Sequence, residues 1–306
     1  MIFIDETRSA ALATHEMAYD AIREALIATV REDAISFPVV IGHGSDAQNR
    51  FTIKSACNRD MAGLKVGSYF LSNDRAGLPR HGSMILLFDQ SIGRIGAIVE
   101  AGKLNAYRTA AADAVAAEAL SRPDARVLTL FGTGHQAAYE AAAIARVRPI
   151  ERLVVAGRSD EKTGALVGRL KALGLPAEAA RSAEEACRTA DIIVTVTSAR
   201  AALFDADWVA PGTHIASMGS DGKGKQELPV GLYQRAKLFC DLPEQSRVVG
   251  EFQHAPADAR LTAIGQVLTG SAPGRTDPSD ITVFDSSGVS LQDLFIAEAI
   301  LRAHSA

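Results

Sequence analysis

Four charged side chains stand in settings that a merely solvated charge does not need. Lys65 interrupts the apolar alternation of "GLKVGSYF", so its ammonium is expected to point inward, and Lys54 is placed similarly in "FTIKSA". Arg108 sits in "AYRTAAADA", where small neighbours leave room for an anion. Asp221 lies in "SMGSDGKGKQE", just after a predicted parallel strand, at the edge where open α/β sheets bind ligands. Each alone reads as well as a surface charge; together they make a set able to hold an anion and move a proton. No metal is expected, because His135, His214 and the other histidines show no ligand spacing.

A second set of residues points to a nucleotide. In "LTLFGTGHQAA", Gly132 to Ala137 follow a predicted strand and open a predicted helix. Gly132 allows the tight turn, Gly134 lets the backbone approach a pyrophosphate, and Ala137 permits close helix-to-strand packing. The helix N-terminus offers unsatisfied N–H groups and the positive end of its dipole. The next strand, "LVVAG", ends in Arg158 and Ser159, where a carboxylate would bind ribose hydroxyls and repel a 2′-phosphate. An arginine fork beside a hydroxyl suits a phosphate dianion, so NADP(H) is favoured over NAD(H); the alternative is a solvated arginine. Asp160 reads as the acidic first turn of the following helix.

These residues need elements to hold them, and the rhythm of the chain changes three times. Up to about residue 104, an amphipathic helix capped by Thr14, with Met17, Ile22, Leu26 and Val30 at helical spacing, precedes four strand-like runs, "RFTIKSA", "LKVGSYFL", "SMILLFD" and "RIGAIVE". They predict an antiparallel or mixed sheet. An alanine-rich helix from Asn105, ended by Pro123, leads into a region where short β-branched runs alternate with helices, the signature of a doubly wound parallel sheet. A final strand, a turn at Gly288 and an amphipathic helix close the chain, the helix being expected to pack back on residues 1 to 104. The fold class is therefore α/β: a Rossmann sheet, residues 113–287, inserted into an α+β substrate and dimerisation domain, residues 1–112 and 288–306.

Composition excludes several classes of function. The 306 residues carry a formal charge of −4 without basic blocks, so nucleic acid is an unexpected partner. No apolar run approaches the roughly 20 residues that span a bilayer, and "MIFIDETRSA" lacks a basic signal-peptide start. A cytoplasmic setting with no membrane partner follows. Cys57, Cys187 and Cys240 are far apart and read as buried or incidental thiols.

Taken together, "GLKVGSYF" with "NDRAGLP", "LNAYRTAAADAVAAEALSRPDARVLTLFGTGHQA", "ADWVAPGTHIASMGSDGKGKQEL" and "ITVFDSSGVSLQDL" resemble the ornithine cyclodeaminase/μ-crystallin family over most of the chain. The resemblance implies a homodimer formed through the outer domain and NAD(P)-dependent chemistry at a carbon between an amino or imino nitrogen and a carboxylate. It also implies roles. Lys65 would lie near the substrate carboxylate and reacting nitrogen, Arg108 would clamp the carboxylate, and Asp221 would bind the nitrogen and assist proton transfer. Gly132, Thr133, Gly134, His135 and Gln136 would cover the cofactor phosphates. Arg158, Ser159, Thr195, Thr197, Met218 and Gly219 complete the expected cofactor set, and Gly288 joins the substrate set.

One departure bears on the substrate. Many members carry a carboxylate-binding arginine after an early proline, and here "SFPVVIGHG" has Val39. Lys54 could replace that charge, and His81 in "PRHGSMILLF" stands where a small or apolar residue is common. This combination resembles the iminosuccinate reductase branch, whose substrate carries two carboxylates. The expected activity is NAD(P)H-dependent reduction of an α-imino acid to the amino acid. The rivals are an ornithine cyclodeaminase recycling bound NAD, an alanine-dehydrogenase-like enzyme, and a non-enzymatic NADPH-binding protein.

Overall fold

The structure, a computed structural model, describes residues 1–306 as two compact units. The first comprises Met1–Arg108 and Val289–Ala306. Its strands are β1 (Ile2–Ile4), β2 (Ile35–Ser36), β3 (Val40–His43), β4 (Arg50–Cys57), β5 (Ala62–Tyr69), β6 (His81–Asp89) and β7 (Arg94–Glu100). They form one mixed sheet in the order β1-β7-β6-β5-β4-β2, with β3 also on β4; only β1 with β7 is parallel. The sheet is thus mixed, as the turn-punctuated runs predict.

Helices α1 (Glu6–Leu12) and α2 (His15–Ala28) follow β1. Thr14 caps α2 by accepting the Met17 N–H at 3.1 Å, and Ile22 and Leu26 on its apolar stripe are fully buried. Helix α3 (Gly102–Leu120) begins one turn earlier than the expected Asn105. The reason lies far back in the chain: the Glu6 carboxylate accepts the Gly102 and Lys103 N–H groups at 2.7 and 2.8 Å, and so caps α3 from α1. A cap supplied 96 residues away leaves no local signal.

The last helix, α9 (Ser290–Ser305), belongs to this first unit and packs on β4, β5, β6 and α2. Its approach to β5 is close: a Cβ on Gly63 would meet the Leu294 side chain at 2.8 Å.

The second unit, Thr109–Gly288, carries eight strands: β8 (Val127–Phe131), β9 (Arg152–Ala156), β10 (Ala177–Ala179), β11 (Ile192–Thr195), β12 (His214–Ser217), β13 (Ala236–Cys240), β14 (Leu261–Ala263) and β15 (Ile281–Asp285). All pair in parallel, in the order β10-β9-β8-β11-β12-β15-β13-β14. Helices α4 (His135–Val147), α5 (Asp160–Ala172), α6 (Ala183–Arg188), α7 (Pro243–Val249) and α8 (Ile264–Leu268) connect them. The central strands β11, β12 and β15 are buried along their length, and they bury polar side chains as well, His214 and Ser217 on β12 and Thr282 and Asp285 on β15. The order reverses between β8 and β11, the topological switch point at which such sheets bind nucleotides.

Candidate functional site

Two sites are built, one in each unit. In the first, Lys65 on β5 and Lys54 on β4 are direct cross-strand partners, so both project from one face of the sheet. Lys65 is 6% exposed. Its Nζ donates to Asp293 Oδ1 at 2.7 Å and to Asn105 Oδ1 at 3.3 Å. Arg108, one turn after Asn105 on α3, donates to the same Asn105 oxygen through Nε and Nη2 at 3.2 and 2.8 Å, and through Nη1 to Gln292 Oε1 at 3.2 Å. Its Nε lies 3.5 Å from Asp293 Oδ1. The structure therefore brings Lys54, Lys65 and Arg108 into one cluster around one buried carboxylate.

The electrostatics of that cluster are tuned by burial and by charge. Burial brings the Lys65 ammonium down to about 7, Asp293 opposes the drop, and the Arg108 and Lys54 charges add to it. Burial alone would raise Asp293; Lys65, Arg108 and Lys54 outweigh it and hold Asp293 below its ordinary value. A lysine poised near neutral pH can exchange a proton there, and a protonated one still attracts a carboxylate. His81 lies further along the same face, opposite Tyr69; it is exposed, with its ring centroid 4.6 Å from that of Tyr69.

In the second unit, the residues after β8 form a cradle that suits a dinucleotide. Gly132 has φ +124°, and a Cβ there would lie 2.6 Å from the Val196 carbonyl. Gly134 precedes α4 in extended conformation with no side-chain cap, and a Cβ on it would meet nothing within 4 Å. Helix α4 thus starts at an exposed glycine with no side-chain cap, the kind of helix start that can receive a pyrophosphate. Thr133 closes against Gly157, whose Cβ would sit 2.6 Å from the Thr133 methyl. His135 opens α4, its ring near that of Tyr139, and Gln136 donates to Glu140 at 2.8 Å.

Arg158 is exposed beyond the end of β9. Ser159 is the N-cap of α5, accepting the Lys162 N–H at 3.4 Å, and Asp160 starts that helix. Thr195, Thr197, Met218 and Gly219 lie at the C-terminal ends of β11 and β12; Met218 N donates to the Thr195 carbonyl, and Thr195, Thr197 and Gly219 are tied together by Glu227, which no local sequence signal marks. Glu227, fully buried, accepts from Thr195 Oγ1 (2.9 Å), Thr197 N and Oγ1 (2.6 and 2.7 Å), Ser217 Oγ (3.1 Å) and Gly219 N (2.9 Å). The Thr195 and Thr197 hydroxyls thus serve Glu227. Burial raises the Glu227 carboxyl, against the opposing pull of the Thr197 and Thr195 donors and the Gly219 N–H. Asp221, on the loop after β12, is exposed and paired with Lys225. Gly288 has φ +73°, donates to Asp241 at 2.7 Å, and accepts from Gln245 at 2.9 Å.

In the cation cluster, Asn105, Gln292 and Asp293 were also missed. Asn105 had a local signal, since it stands three residues before Arg108 on one helix face. Gln292 and Asp293 had only a weak one: two polar residues ahead of the apolar run of α9, where an acid in the first turn reads as a helix-dipole partner.

A parallel sheet with a glycine cradle at its switch point, carried with a cation-bearing mixed sheet, defines a two-unit α/β protein of the dinucleotide-binding kind. The chain belongs to the ornithine cyclodeaminase/mu-crystallin family, whose sequence profile matches residues 7–305. It is 38% identical to the iminosuccinate reductase of Paracoccus denitrificans, over 99% of this chain and 96% of that protein. The crystal structure of that reductase in complex with NAD+ superimposes with a TM-score of 0.95, covering 100% of this chain and 96% of the other at 36% identity. An archaeal alanine dehydrogenase dimer with bound NAD gives a TM-score of 0.93 at 29% identity, over 100% and 96%. The ornithine cyclodeaminase of Brucella abortus is 34% identical over 76% of this chain and 65% of its own length.

Proposed function

We propose that this protein reduces an α-imino acid, iminosuccinate being the substrate that fits best, to the amino acid at the expense of NADH or NADPH. The observation that carries the reading is the cross-strand pair Lys54 and Lys65 beside Arg108. In this cluster cations outnumber the buried carboxylate three to one, which suits a substrate with two carboxylates. The similarity to an iminosuccinate reductase over nearly the whole chain supports it.

In this reading the cofactor phosphates rest on Gly132, Thr133, Gly134, His135 and Gln136, with Arg158 at the adenosine ribose. Reduced nicotinamide, when bound there, would supply the hydride, with its two electrons, that the imine carbon requires. Arg108 clamps the α-carboxylate through its planar fork, and Lys54, helped by His81, receives the second carboxylate. Asp221 stabilises the protonated nitrogen, and Lys65 or a water relays the proton that balances the hydride. Residues 1–112 and 288–306 act as the substrate and dimerisation domain, and 113–287 as the cofactor domain.

The protein acts as a homodimer in this reading. The outer face of the first sheet supports it: Phe3, Ile98, Leu86, Leu64, Met84, Val66, Ile53 and Val40 align across the strands, with Phe3 and Val40 each 53% exposed. Three free thiols agree with a cytoplasmic setting, and no helix is long and apolar enough to cross a membrane.

The test follows NAD(P)H oxidation at 340 nm with imines formed from oxaloacetate, pyruvate or glyoxylate and ammonia. Consumption with oxaloacetate and ammonia, and formation of aspartate, is expected. Ammonia and proline from ornithine with NAD+, without net NADH, would move the protein to the cyclodeaminases.

A further inference from the structure

Lys65 and Arg108 are both nearly withdrawn from water, and two buried cations placed together repel each other and lose their hydration. What offsets this comes from the first turn of α9. Asp293, 2% exposed, places one oxygen 2.7 Å from Lys65 Nζ and 3.5 Å from Arg108 Nε. Gln292, fully buried, accepts from Arg108 Nη1. Asn105 accepts from both cations through a single oxygen. Two neutral amides supply acceptors, and Asp293 alone supplies the counter-charge within this set.

We propose that Asp293 is a positioning residue of the substrate site: it holds the Lys65 ammonium charged and aimed, and it fixes Arg108 beside it, so that the carboxylate-binding cations exist as a preformed pair before substrate arrives. Asp293 does not touch the reacting atoms; it acts through Lys65. The proposal deepens the reading of this cluster as a substrate site, but its central claim concerns only the protonation and placement of Lys65, which can be measured without any substrate.

The experiment follows Lys65 by NMR of lysine labelled with 13C at Cε, its signal identified by its loss in Lys65→Met. In Asp293→Asn, which keeps the shape and removes the charge, the Lys65 titration midpoint is expected to fall by at least one pH unit. The basic limb of kcat/KM with oxaloacetate and ammonia should move down by the same amount, so that the loss, tenfold or more at pH 8, is largely recovered near pH 6. Asp293→Glu should restore both midpoints towards wild type. NADH affinity should stay within about twofold throughout. An unchanged Lys65 midpoint overturns the proposal, as does a loss of activity equal at every pH. If the wild type reduces no imine, the reading of the function fails while the NMR arm still decides the role of Asp293. Should Asp293→Asn not fold, the reciprocal measurement decides: the 13C carboxyl signal of Asp293 must titrate at higher pH in Lys65→Met, and an equal midpoint overturns the proposal.

Discussion

Lys54 and Lys65 face each other directly across β4 and β5, a like-charge pair in register on one side of the sheet. Directly opposed like charges are destabilising, so such a pair persists where something else gains from it. A dicarboxylate would gain. Lys54→Met is expected to raise KM for the imine of oxaloacetate about 10- to 100-fold, corresponding to ~1.5–3 kcal/mol for one charge-assisted hydrogen bond. The imine of pyruvate, with one carboxylate, should be nearly unaffected. Equal losses for both would assign Lys54 to the α-carboxylate or to the sheet rather than to the second carboxylate.

Asp221 lies exposed on a loop with Lys225 as its partner, so removing it should cost little stability. Asp221→Ala is expected to lower kcat by about 10²- to 10⁴-fold, the range of a lost proton-transfer group, with NADH affinity and Tm close to wild type. Lost cofactor binding would place Asp221 among the nucleotide contacts instead.

Much of this architecture was legible in the chain because it rests on local patterns. The alternation around Lys65 gives an inward lysine, the glycines after β8 give a turn and a helix start, and Thr14 gives a cap. The contacts that complete the sites are not local. Asp293 reaches Lys65 across 228 residues, Glu6 caps α3 across 96, and Glu227 joins the loops after β11 and β12 by hydrogen bonds to residues up to 32 positions away. Each is a carboxylate whose own neighbourhood reads as an ordinary helix start or polar loop. Ser159 teaches the converse, since a hydroxyl well placed for a phosphate is already the cap of α5.

Arg158 carries the cofactor preference in the proposed reading. Arg158→Asp should weaken NADPH by tenfold or more while NADH holds or gains, because a carboxylate there repels a 2′-phosphate and accepts from ribose hydroxyls. Fluorescence titration with both cofactors measures it. Equal losses would remove Arg158 from the adenosine site. A wild type that binds NADH alone would leave this arginine as a solvated charge.

Asp113 on α3 and Glu140 on α4 are fully buried. Neither Asp113 oxygen has a hydrogen-bond partner, and a proton shared with the neighbouring Glu140 carboxyl would satisfy the pair. Burial pushes the Asp113 carboxyl up to about 7, opposed by its contact with Glu140. Between about pH 4 and pH 7 the folded protein therefore holds a proton that the unfolded chain has released. This contribution to stability is complete at the acid end, declines as pH rises through that window, and levels off above it. Asp113→Asn supplies a permanent N–H to Glu140. It should raise Tm by about 5 °C at pH 8, with a much smaller gain at pH 5. Parallel melting curves at the two pH values would show that Asp113 is ionised throughout. Because Glu140 also receives Gln136 from the first turn of α4, the same variant should steady the cofactor cradle at alkaline pH, read as NADH affinity that no longer weakens between pH 6 and pH 8.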